Sequence, residues 1–135
     1  MNYVVTYAAM ATAFLVLDAL WLGWIARDFY FSRLEGLVHD RPRLAPAAIF
    51  YALYIVGVIV FCIEPALKAG SWKLALVHGA LFGFLAYATY DMTNLATLKN
   101  WPVSVALVDM AWGATITATV ATVGFVVARQ LFGSA

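Results

Sequence analysis

FLAYATYDMTNLATLKNWPVSVALVDMAWG, residues 84–113, sets two carboxylates, Asp91 and Asp109, inside apolar helical stretches joined by one short polar turn. An ionised acid inside a bilayer is costly, with figures for a central charge running from roughly 2.5 to well over 10 kcal/mol, so such a residue marks a functional site by default. The rest of the chain has to supply whatever neutralises these two.

Around this stretch, 65% of the 135 residues are hydrophobic and 11% are charged, the composition of a membrane protein with room for a single domain, residues 1–135. A net charge of +1 with no dense basic stripe excludes nucleic acid as a partner. The single cysteine, Cys62, cannot form an internal disulfide and reads as a small hydrophobe in an apolar run. MNYVVTYAAMATAF at the start lacks a basic region and its apolar stretch runs on past leader length, so a membrane span is expected there rather than a cleaved signal.

Crossing the hydrocarbon core takes about 20 apolar residues, and four stretches qualify: 4–26, 46–66, 72–95 and 103–128. Arg27-Asp28, Pro65 with Gly70, and Asn100-Trp101-Pro102 punctuate them. The expected fold is an all-α integral membrane protein, a four-transmembrane-helix antiparallel bundle without strands, its termini on one side. Within residues 28–40, Tyr30, Phe31, Leu34, Leu37 and Val38 recur at helical spacing and predict a short helix lying on the membrane surface, the plainer reading being a loop with some apolar residues. Arg27, Arg33, Arg41, Arg43 and Lys99 fall on the side of the first and third loops, against Lys68, Lys73 and Arg129 on the side of the termini. That balance predicts cytoplasmic first and third loops and outside termini.

This topology sets the depth of a third acid, Asp18, which comes near the end of the first span. At 1.5 Å per residue, Asp18, Asp91 and Asp109 occupy levels roughly 6 to 12 Å inside the same boundary. Helical spacing puts Tyr7, Phe14, Asp18, Trp21 and Ile25 on one stripe, Tyr87, Asp91 and Asn94 on another, and Val105, Asp109, Trp112 and Ile116 on a third, with Tyr51 and Tyr54 of the second span at the same level. The expected ligand- or cation-binding site therefore comprises Asp18, Asp91, Asn94 and Asp109, surrounded by Trp21, Trp112 and Tyr54. No Lys or Arg lies at that depth. Protonation, a basic side chain reaching in from Arg27 or Lys99, or a bound cation each offers neutrality; the oxygen-rich set suits a hard cation such as magnesium or calcium. The plainer reading has the acids hydrogen-bonded across helices to Trp21, Trp112, Tyr54 or Thr93.

Gly79 and Gly83 form a GxxxG that admits a close helix neighbour, expected within this chain. His78 and Glu64 lie near the opposite boundary, and His39 in the first loop. Transition-metal spacing, a serine nucleophile motif and a phosphate-binding glycine loop are absent from the sequence, so no cofactor is implied. Asp18-Ala-Leu-Trp21 and Asp109-Met-Ala-Trp112 repeat one D-x-x-W pattern on antiparallel helices, as an inverted relation between halves or a shared chemical need would produce.

LDALWLG at 17–23, FYALYIVG at 50–57, GALFGFLAYATYDMTNLATLKNWP at 79–102 and VDMAWG at 108–113 touch all four stretches. On these segments the chain resembles the domain-of-unknown-function 2177 family of small bacterial membrane proteins. The resemblance implies a four-span integral membrane protein of the bacterial inner (plasma) membrane and no activity. Three functions fit the residues: a binding or transport protein whose aspartates hold a proton or cation, for which a homodimer is expected besides the lipid bilayer; a non-catalytic accessory subunit; and a metal-assisted enzyme acting on a lipid.

Overall fold

Asn2 starts the first helix, its side-chain oxygen accepting from the Val4 and Val5 N–H groups at 3.1 and 3.2 Å and so covering donors that a helix start leaves open. The computed structural model describes residues 2–38 and 43–132, and among them all regular structure is helical. In chain order, α1 is Tyr3–Ile25, α2 Arg27–Arg33, α3 Leu44–Ala69, α4 Trp72–Thr97 and α5 Val103–Phe132. Where the sequence predicts four spans, length and apolar composition mark three, α1, α3 and α5. α4 is long enough at 26 residues but dilutes its apolar content with Lys73, His78, Asp91 and Asn94.

Two π-helical turns interrupt the long helices, at Trp21–Ile25 and Ile59–Ile63. The second has a local cause. Pro65 carries no N–H to give back to the helix and its ring crowds the carbonyl one turn earlier, which belongs to Phe61. His78 of α4 reaches that carbonyl with Nδ1 at 3.3 Å. The histidine therefore serves a backbone group that the proline strands, while Glu64 accepts a hydrogen bond from Tyr3; the two have separate partners. Gly70, left-handed at φ 66°, ends α3, Ser71 caps α4 through the Leu74 N–H, and Arg129 of α5 donates to the Gly70 carbonyl at 2.9 Å.

Hydrophobicity does not drive one apolar helix onto another in lipid; shape does, and small residues permit close approach. A Cβ added at Gly83 would lie 2.1 Å from the Gly113 carbonyl oxygen, and one at Gly79 2.8 Å from both the Ala121 Cβ and the Thr117 carbonyl oxygen. The GxxxG is thus spent inside the chain, binding α4 along α5, the most extensive helix contact of the fold. α5 is the central element, half buried over its apolar window, whereas α1 is mostly outward-facing. Met10, Phe14, Val58, Cys62, Ile63, Ile116 and Val120 form the core between α1, α3 and α5. Leu15, Val16, Ile49, Leu53, Val60, Phe61, Leu81, Leu85 and Leu107 point outward, an apolar girdle that suits lipid and far exceeds the patches a water-soluble monomer exposes.

The first connection forms its expected short helix over part of its length. α2 closes at Arg33, a turn follows Leu34, and Tyr30 and Leu34 are buried while Phe31, Leu37 and Val38 are exposed. Rather than a whole apolar stripe lying flat, two residues plug into the end of the bundle against Val105 and Trp101. His39 and Arg41 lie outside the described residues.

Candidate functional site

Asp18 faces inward from α1 and is 8% exposed. Both its oxygens are engaged: Tyr51 of α3 donates its hydroxyl to Oδ2 at 2.6 Å, and Trp112 of α5 donates Nε1 to Oδ1 at 3.2 Å. Hydrogen bonds to an ionised or polarised carboxyl group are among the stronger neutral-donor contacts, so Asp18 ties three helices together.

Asp109 receives its donor from α2. The Tyr30 hydroxyl donates to Oδ1 at 2.9 Å and accepts from Trp21 Nε1 at 3.1 Å. Burial pushes the Tyr30 phenol above its ordinary pKa, with the neighbouring Asp109 adding to the rise, so the group stays a donor. Trp21 and Trp112 stack with centroids 4.4 Å apart and planes 8° from parallel. The two D-x-x-W segments therefore exchange partners: the indole of the second reaches the acid of the first, and the indole of the first reaches the acid of the second through Tyr30. That exchange gives the sequence repeat a physical use without requiring a duplicated ancestor.

Asp91, on α4, is different. It is fully buried and neither carboxyl oxygen has a hydrogen-bond partner. Asp109 lines the same cavity. Leaving a buried polar group unsatisfied costs roughly 1–3 kcal/mol, and more when it is charged.

All three aspartates wall one cavity of about 490 Å³ at the end of the bundle covered by α2. Tyr30, Phe50, Tyr51, Tyr87, Tyr90 and Trp101 contribute rings, and no Lys, Arg or His is among the lining residues. Trp101, held edge-on to Tyr90 at 5.7 Å, leaves its buried Nε1 without a partner. Among the described residues no three His, Cys, Asp or Glu side chains come together in a way that would hold a metal ion.

The sequence-expected residues divide. Asp18, Asp91 and Asp109 share the cavity; Trp21 and Trp112 stand behind it as donors and as a stacked pair. Asn94 is beside Tyr90 and is not among the lining residues. Tyr54 is deeper in the core, its hydroxyl 2.7 Å from Thr117 Oγ1 and its ring against Phe14 and Phe82. Tyr51, one turn nearer the loop, is the tyrosine that meets Asp18. Neither Tyr30 nor Trp101 stands among the expected site residues, because each comes from a connection between long helices; only the burial of an otherwise surface-like segment could have pointed to them.

The model of a family described as predicted membrane protein (DUF2177) matches residues 3–126. No curated protein and no solved structure matches the chain.

Proposed function

The chain belongs to this family of predicted membrane proteins, and from that premise we propose that it is a four-span member of the binding and transport type, holding a proton or cation at its buried aspartates. α4 counts as the fourth span: it packs against α5 along both glycines of its GxxxG, so it shares whatever medium surrounds α5. The first and third loops, richer in Lys and Arg, face the cytoplasm. A pathway across the bilayer asks for more wall than one short bundle supplies, so the working unit is a homodimer.

One observation carries the reading: Asp91 is completely buried on a cavity wall with both oxygens unpartnered, next to a second carboxyl and with no basic residue lining the space. A purely structural acid would be satisfied as Asp18 is. Asp91 is instead arranged to share a proton with Asp109 when the cavity is empty and to receive a donor when it is filled. Among the described residues no three potential ligands come together for a divalent ion, so the reading takes the proton ahead of magnesium or calcium. The accessory-subunit reading draws on Asp18, whose two hydrogen bonds fasten α1 to α3 and α5, but it gives Asp91 no role.

Proton counting tests this. Purified chain in detergent, titrated with an indicator dye from about pH 6, above the ordinary carboxylate range, to alkaline pH, releases one proton more than the Asp91→Asn protein. Equal proton release by the two, both folded, together with a melting temperature indifferent to every added cation, overturns the proposal in favour of a structural role.

A further inference from the structure

We infer that the cavity takes a protonated lipophilic amine, whose N–H groups complete the unpartnered Asp91 carboxyl while its apolar body lies among the rings of α3 and α4. The inference rests on the binding reading above and names the ligand class for the same site.

The chemistry of the wall selects it. Carboxyl groups without a lining Lys, Arg or His favour a positive charge. A buried acceptor with no donor asks for N–H or O–H groups rather than for a quaternary centre that has none. Magnesium and calcium take six or more oxygens, whereas the described residues offer no three-ligand group. The rest of the wall is aromatic, and ring faces attract an ammonium carried within about 6 Å of their centroids, more so when water is excluded.

The route in suits an amphiphile. Leu22, Phe50 and Tyr90 line the cavity and are also exposed on the outer surface, 38%, 47% and 56% respectively. α3 meets α4 closely through Ile59–Ile63 and Glu64–Ala69, while Leu44–Val58 makes no comparable run of backbone contact with it. The two helices are therefore joined at the far end and parted beside the cavity, so a ligand dissolved in the bilayer enters sideways between Phe50 and Tyr90.

Charge balances on entry. The ammonium brings one positive charge, and the proton held by the Asp91–Asp109 pair leaves to water; the carboxyl O–H bond breaks, a new bond to that proton forms on water or buffer, and the ammonium stays intact. Among the described residues that line the cavity, Asp18 from α1, Tyr30 from α2, Tyr51 from α3, and Tyr87 and Tyr90 from α4 are all acidic or neutral, so the released proton goes to water. Acid then weakens amine binding, by up to about tenfold per pH unit, through proton competition.

The probe is 4-phenylbutylamine, with pentylbenzene as its uncharged isostere, titrated calorimetrically into the full chain in detergent. The amine binds saturably, releases a proton in buffers of different ionisation enthalpy, and is not displaced by magnesium chloride. Pentylbenzene does not bind. Asp91→Asn weakens the amine at least tenfold, and Ala47→Trp, which fills the cavity from the α3 wall, does the same. Equal binding of pentylbenzene, displacement by magnesium, or wild-type affinity in both variants overturns the inference. The indicator titration without amine separates the two readings: an extra Asp91 proton with no amine binding defeats the ligand assignment alone, and no extra proton defeats the site itself.

Discussion

Replacing Gly83 by alanine tests the helix pair on which the cavity is built. The new Cβ would stand 2.1 Å from the Gly113 carbonyl oxygen, 2.5 Å from Thr117 Oγ1 and 2.6 Å from Thr117 Cβ, where ordinary contact begins at 3.4 Å. The nearest atom is backbone and cannot swing away, so α4 and α5 must part by the difference, 3.4 − 2.1, or about 1.3 Å along that contact. Overpacking of this kind costs typically about 1–3 kcal/mol, and a retreat of the helix forfeits neighbouring contacts as well. In an exposed helix position the same change is favourable by up to about 1 kcal/mol, because alanine is the better helix former. Gly23, with nothing within 4 Å of its added Cβ, is the matched control. Reversible unfolding in mixed micelles, followed by far-ultraviolet circular dichroism, should show Gly83→Ala less stable by about 2 kcal/mol or more and Gly23→Ala unchanged or more stable by up to about 1 kcal/mol. Equal stability of Gly83→Ala and the wild type would refute the close α4–α5 contact, and with it the juxtaposition of Asp91 and Asp109.

Tyr51→Phe removes the shorter donor to Asp18 and should cost about 0.5–1.5 kcal/mol in the same unfolding assay; a neutral result would mean the 2.6 Å bond is not made in the folded protein. His78→Leu leaves the Phe61 carbonyl without its side-chain partner and should cost about 1 kcal/mol, whereas His78→Gln, able to donate, should recover most of it; identical melting of the two variants would contradict the role assigned to the histidine. Tyr30 is held neutral by burial, with a folded pKa raised above the unfolded value, so its contribution is complete below about pH 10 and is lost as pH rises through the folded value. Stability measured across alkaline pH should fall more gently in Tyr30→Phe than in the wild type, and parallel profiles would count against that burial.

The helices were legible because an apolar run of about 20 residues admits little else: each expected stretch contains a helix within a few residues of its predicted ends. α4 sits at the margin of the same rule, since Asp91 and Asn94 that make it interesting also lower its apolar content. Depth along the chain was enough to bring Asp18, Asp91 and Asp109 to one level, because rise per residue is nearly constant. Rotation was harder. A one-turn choice between Tyr51 and Tyr54 depends on how α3 lies against α1, and the π turn before Pro65 shifts the phase that a regular helix would keep. Tyr30 was beyond a periodicity argument, since its burial comes from the sharp turn at Ala26 that folds α2 back over the bundle end. The use of the D-x-x-W pair was hidden for the same reason: its second link passes through Tyr30.

The central proposal is that the Asp91–Asp109 pair holds a proton in a cavity that no Lys, Arg or His lines among the described residues. Difference infrared spectroscopy reads this directly, through the carbonyl stretch of a protonated carboxyl group in the purified chain at neutral pH. The account predicts a protonated-carboxyl band in the wild type that is missing from Asp91→Asn and disappears when 4-phenylbutylamine is added. A spectrum with only ionised carboxylates at neutral pH, or a band that survives in Asp91→Asn, would contradict it.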